Sequence, residues 1–159
     1  LLSTANLKTN TASAAASSVR MVCLLIRFLL RSKMPPEGTK SFAVVLEDKD
    51  AISASGFVWT HWLISDLKRT SVAENESISA TDFTQGANTW ASALGKFEIE
   101  EASFYGGMAP PNNRHRYELI VYALDTVLDL PRGFRFNELH FAMQGHVLDS
   151  TCVVGTYDV

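Results

Sequence analysis

The chain of 159 residues carries 14 Lys and Arg against 17 Asp and Glu, a net charge of −3, with 47 % hydrophobic and 19 % charged residues. This is the make-up of one soluble globular domain; it argues against wholesale disorder and gives no electrostatic reason to expect nucleic acid as a partner. Two cysteines, Cys23 and Cys152, lie far apart and fit no metal-ligand spacing, which points to a reducing, cytoplasmic compartment; no cofactor or metal is expected, although two Asp and two His, widely separated in sequence, could in principle hold a divalent ion.

The charge is unevenly placed. Residues 1–40 hold six Lys/Arg and one acidic residue, whereas the remaining 119 positions hold eight and sixteen. The first twenty residues, LLSTANLKTNTASAAASSVR, lack a period that buries a face and read as a tail or a poorly ordered segment. MVCLLIRFLL follows, bracketed by Arg20 and Arg31 and interrupted by Arg27. It is too short for a membrane span, and no small-x-small cleavage site follows it. An amphipathic or buried strand or helix is expected there.

PPEGTK at 35–40 is a turn, because proline fixes φ and glycine permits positive φ. SFAVVLED is a nearly continuous apolar run of the kind buried on both sheet faces. FVWTHWLISDL reads as a second strand, and its period of two puts Trp59, His61 and Leu63 on one face, Trp62 and Ile64 on the other. Residues 68–103 are polar, turn-rich connections with weak strand signals. RYELIVYALD is a third strand. NELHFAMQGHVL reads as a helix capped by Asn137, with Leu139, Ala142, Met143 and His146 at helical spacing, and STCVVGTYDV is a last strand. The expected fold is therefore mainly β, with a short helix near the C-terminus.

Four polar features carry candidate chemistry. Asp48 and Asp50, two apart in LEDKDA at the end of the first strong strand, leave the same face at a period of two and converge at the strand end; a solvated loop with two acids is the alternative. His61 stands between aromatic residues and is either a satisfied core histidine or part of an aromatic-walled pocket. In FYGGMAPPNNRHRY, a stiff loop delivers His115 and Arg116 to the start of a strand, where alternation sends them to opposite faces; an ordinary loop whose arginine pairs with an acid is the alternative. His146 fits a structural role near the helix end. No phosphate-binding glycine loop, zinc-protease motif or nucleophile elbow is present in the sequence.

In order, LEDKDA, VWTHWLI, YGGMAPPNNRHRYELIVYALD and FNELHFAMQGHVLDSTCVVGTY resemble four motifs of one family, from about Pro35 to Tyr157. This is the phosphatidylethanolamine-binding protein family, also called Raf kinase inhibitor proteins, in its bacterial YbhB/YbcL-like branch. The resemblance implies a central antiparallel sheet, β-sandwich-like, with a small anion-binding cavity at one end. By position it implies that Asp48, Asp50, His61, Pro110, Pro111, His115 and Tyr117 line that cavity, with Trp59 and Tyr105 nearby. It further implies a phosphate-bearing or other small anionic ligand, a protein partner such as a kinase or protease by analogy, a homodimer, and binding in place of catalysis. A hydrolase or lyase using the His and Asp residues is the alternative.

The sequence also departs from the family. Lys49 and Ile52 replace two prolines, Lys49 being expected at the cavity rim, and Met108 replaces another proline. Residues 1–34 lack the family's early strands and form an atypical segment, disordered or mis-assigned through a frame shift, ahead of a family-like domain at 35–159.

Overall fold

Apolar residues in long runs set the strands, and the strands set the fold. The protein, described by a computed structural model, is placed at residues 5–7, 11–32 and 34–158. In chain order the elements are β1 (Ala5–Leu7), α1 (Thr11–Ser32), β2 (Ser41–Asp48), α2 (Ile52–Ser55), β3 (Trp59–Leu67), β4 (Thr84–Gly86), α3 (Ile99–Ala102), β5 (His115–Leu124), α4 (Phe136–Ala142) and β6 (Val147–Tyr157). The strands form one sheet ordered β1-β6-β5-β2-β3-β4. β1 lies parallel to β6 and every other pairing is antiparallel. The mainly β architecture expected from the sequence is the one observed.

β2 is buried at all eight positions, as its apolar run requires. Phe42, Val44 and Leu46 pack on one face with Leu119, Val121 and Ala123 of β5. Ala43 and Val45 pack on the other with Leu63, Leu124, Phe134, Leu139 and Met143, the last two from α4 and its end.

The first face is covered by α1. An alanine-rich stretch supplies helix propensity at its start, and Val22, Cys23, Ile26, Leu29 and Leu30 recur on one buried stripe, with Arg20, Leu24, Arg27 and Arg31 exposed. The helix thus begins at Thr11, ahead of the apolar run in which a strand or helix was expected. No helix among the described residues is long and apolar enough to cross a membrane.

Two departures from regular pleating matter for the site. β3 pairs Trp62 with Leu46 but Thr60 with Glu47, so His61 is an extra residue in the ladder. A bulge of this kind re-aims a side chain. It overturns the expectation that His61 shares the face of Leu63: Leu63 enters the second core, while His61 lies against Tyr117, ring centroids 5.2 Å apart. Near Asp66 the ladder slips again, with Asp66 at φ 60° and its carboxylate accepting from the Leu128 and Asp129 amides. The proposed cap Asn137 lies inside α4; the cap position is Arg135, whose N–H donates to Glu138 Oε2 at 2.6 Å. His146 sits beyond the helix, exposed, with Nδ1 2.8 Å from Asp125 Oδ1.

Candidate ligand-binding site

Trp59, Asp48 and Tyr117 stand side by side on three neighbouring strands, since Asp48 pairs with Trp59 of β3 and with Tyr117 of β5. Residues directly opposite in an antiparallel ladder share a face. With His61 turned to that face by the bulge, four candidate side chains meet at one end of the sheet. They line a cavity of about 360 Å³, whose other walls include Ala51, Ala54 and Ser55 of the α2 turn, Trp90, Leu94, Gly107, Ala109 and Pro111. Few polar groups in a mostly apolar concavity is the usual make-up of a small-molecule site.

Asp48 ends β2 with both carboxylate oxygens engaged by the protein. Oδ1 accepts from the Ala51 amide at 3.0 Å, which fixes the turn into α2, and Oδ2 lies 2.7 Å from His115 Nδ1. His115 is completely buried. Its Nε2 faces Asn112 Oδ1 at 2.8 Å, and that oxygen also accepts from the Asn113 amide at 3.0 Å. Both ring nitrogens are therefore engaged by side chains of the protein.

His61 is held by the glycine pair. The Gly106 amide donates to the His61 carbonyl at 2.8 Å, and His61 Nδ1–H donates to the Gly106 carbonyl at 3.0 Å. With the proton on Nδ1, the neutral ring keeps a lone pair on Nε2. Burial pushes the His61 pKa below its ordinary value, an effect only partly opposed by the Gly106 carbonyl and the Asp48 charge. The glycine at 106 is needed for close approach, because an added Cβ would lie 3.0 Å from Asn88 Nδ2 and 3.1 Å from Trp90 Cδ1.

Two buried polar atoms in this wall, Trp59 Nε1 and the Tyr117 hydroxyl, have no hydrogen-bond partner among the described residues. The Tyr117 hydroxyl lies close enough to the Asp48 carboxylate to interact with it. Burial first, and the Asp48 charge second, raise the Tyr117 pKa, so the group stays protonated and able to donate.

Of the residues the sequence singled out, Asp48, Trp59, His61, Pro111 and Tyr117 line the cavity. His115 stands behind Asp48, and Pro110 is buried beside Pro111 but off the lining. Tyr105 packs its ring edge on Trp62, centroids 5.4 Å apart. Asp50 does not converge with Asp48: β2 stops at Asp48, so the period of two does not carry through the turn. The Asp50 carboxylate accepts instead from Arg116, at 2.9 Å from Nε and 2.7 Å from the far guanidinium nitrogen, which holds its pKa down at about 2. Lys49 is likewise not at the cavity rim, because Glu118 at 2.6 Å and Glu47 at 3.1 Å hold it across the turn.

Sequence reasoning missed Trp90, Leu94 and the alanines of the α2 turn. A tryptophan and a leucine among the small residues of GANTWASAL were the available signal for the first two. Among the described residues, no three His, Cys, Asp or Glu side chains gather into a metal-ligating group.

Residues 9–158 match the family described as phosphatidylethanolamine-binding protein. The chain is 38 % identical over 122 residues to YxkA of Bacillus subtilis, covering 74 % of this chain and 73 % of that one. It is 36 % identical over 127 residues to a UPF0098 protein of Methanothermobacter thermautotrophicus, covering 77 % and 76 %. Among solved structures, the phosphatidylethanolamine-binding protein homologue CT736 of Chlamydia trachomatis superposes with a TM-score of 0.67 at 29 % identity, covering 80 % of this chain and 77 % of that one. Escherichia coli YbcL, described as a member of the mammalian family, shares the fold with a TM-score of 0.62 at 24 % identity, covering 78 % and 74 %. With its site at the sheet end and these similarities together, the chain belongs to the phosphatidylethanolamine-binding protein family.

Proposed function

We propose that the protein is a binding module that captures a small phosphate-bearing or other anionic ligand in the cavity between Asp48, Trp59, His61 and Tyr117. The observation that carries this reading is the pair of unpartnered donors, Trp59 Nε1–H and Tyr117 O–H, buried in one wall. A buried polar group left unpaired costs on the order of 1–3 kcal/mol. Two of them beside one cavity support the reading that a ligand oxygen accepts from them. The stiff Pro110-Pro111 segment and the Gly106–His61 clamp hold this wall in shape, which lowers the ordering cost of binding.

Binding is favoured over turnover by the state of His115. A hydrolase or lyase that pairs His61 with His115 needs both rings at the ligand, and His115 is enclosed with both nitrogens engaged. Control of a kinase or protease partner through ligand occupancy, in the cytoplasm, is a further step that rests on family analogy.

Calorimetric titration with inorganic phosphate and with phosphoethanolamine tests the proposal. Saturable binding is expected, weakened about fivefold or more in Tyr117→Phe or Trp59→Phe, as the loss of one hydrogen bond implies. Absence of binding by both ligands up to millimolar concentration overturns it, as does turnover of phosphoesters that disappears in His61→Ala.

A further inference from the structure

Away from the sheet end, a second concavity of about 280 Å³ opens between α1 and the chain that leaves β3. Arg20, Cys23, Leu24 and Arg27 line one side of it, at the i, i+3, i+4 and i+7 spacing that puts four side chains on one helix face. Arg69, residues 71–74 and Glu76 line the other. The Cys23 thiol donates to the Ala73 carbonyl at 3.3 Å and ties the two sides together. Burial first, and the Glu74 and Glu76 charges after it, push the thiol pKa up to about 11, so it stays a neutral S–H.

Some of the charges at this cleft are already spent. Arg69 donates from Nε and both terminal nitrogens to Asp82, Glu76 and the Ser71 carbonyl. Glu76 accepts from Arg69 and from the Ala73 amide. This closed knot stiffens one wall, with Val72 buried in the core beside it. Arg20, Arg27 and Glu74 differ: they are exposed, and none of their side chains has a hydrogen bond or ion pair among the described residues. Two cations and one anion thus line one concavity without neutralising each other, and half-exposed Leu24 lies between the two arginines. Seven residues of helix separate Arg20 from Arg27, about 10 Å along the axis, which two long side chains can close onto one short ligand.

The three free charges specify their complement. A guanidinium fork matches a carboxylate, and a carboxylate accepts from an ammonium. A ligand that answers all three carries two carboxylates and one ammonium on a short chain, whose methylenes lie on Leu24. We propose that this cleft binds an acidic amino acid, glutamate or aspartate, with its two carboxylates on Arg20 and Arg27 and its ammonium on Glu74. The cleft shares no lining residue with the cavity at the sheet end, so the inference stands independently of what that cavity takes.

The test is calorimetric titration of the whole chain, at low ionic strength, with L-glutamate, glutarate and 4-aminobutyrate. Glutamate is expected to bind saturably. Glutarate lacks the ammonium and 4-aminobutyrate lacks the α-carboxylate, and each is expected to bind about fivefold more weakly, the loss of one partly solvated ionic contact. Arg20→Gln and Arg27→Gln, changes at exposed positions, are each expected to weaken glutamate about fivefold while leaving phosphate titration of the cavity unchanged. Glu74→Gln is expected to abolish the preference for glutamate over glutarate. Equal affinity of wild-type protein for glutamate and glutarate, or for glutamate and 4-aminobutyrate, overturns the proposal. Undiminished glutamate binding in the Arg20→Gln, Arg27→Gln double variant overturns it too, by placing the amino acid elsewhere. Absence of glutamate binding up to about 10 mM overturns it and leaves the phosphate reading untouched.

Discussion

Gly106 and His61 grip each other through two hydrogen bonds: the glycine amide donates to the histidine carbonyl, and the histidine Nδ1–H donates to the glycine carbonyl. One loop thereby fixes both the position and the tautomer of the residue that β3 bulges outward. Gly106→Ala drives a Cβ to 3.0 Å from Asn88 Nδ2 and 3.1 Å from Trp90 Cδ1. Overpacking of this kind costs about 1–3 kcal/mol. Chemical denaturation is expected to report a loss in that range together with weaker ligand binding. A fully stable variant that binds normally would show that the clamp is not tight.

The two aspartates of LEDKDA are expected to differ sharply. Asp48→Ala leaves buried His115 and the Ala51 amide without their acceptor, and removing one member of a buried pair costs about 3 kcal/mol or more. Asp50→Ala breaks a largely exposed pairing with Arg116, where solvent screening leaves little to lose. Urea midpoints of the two variants check this; equal shifts would contradict the placement of the two carboxylates.

His61 should make the fold sensitive to acid. Burial holds its folded-state pKa below the ordinary value of 6.5. Between the folded and unfolded values the unfolded chain binds more protons, so stability rises with pH through that window. The contribution is complete above about pH 6.5 and is lost as pH falls below it. His61→Gln is expected to flatten this dependence, read as denaturation midpoints at about pH 5 and about pH 8. An unaltered slope in the variant would assign the sensitivity to another group.

Ile26 of α1 is fully buried against the sheet core. Ile26→Ala is expected to lower stability by about 3 kcal/mol, as other large-to-small core changes do. A change within experimental error would mean that the helix does not cover this face in solution.

How far the sequence foretold this protein differs from residue to residue. The strands were legible because SFAVVLED and RYELIVYALD carry unbroken apolar runs, which only a doubly covered sheet can bury. The opposite orientations of His115 and Arg116 followed from alternation alone, and they are observed, one buried and one exposed. Alternation failed at His61, because a bulge is set by pairing with Leu46 and Glu47, a relation invisible within one strand. It failed at Asp50 because the strand ends two residues earlier. Trp90 and Leu94 reach the cavity from a polar connection with no period, so only tertiary packing brings them there. The start of α1 carries no apolar stripe of its own in the sequence, which hid the helix before Met21.

An oxyanion in the cavity would complete the hydrogen bonding of Trp59, and the three indole N–H resonances in an NMR titration with phosphate report on it. Trp62 supplies the internal control, since its Nε1–H already donates to Gln85 Oε1 at 2.8 Å. A saturable downfield shift of the Trp59 indole is expected, with Trp62 unmoved. A Trp59 resonance that stays in place at saturating ligand, or one that moves no more than that of Trp62, would contradict it.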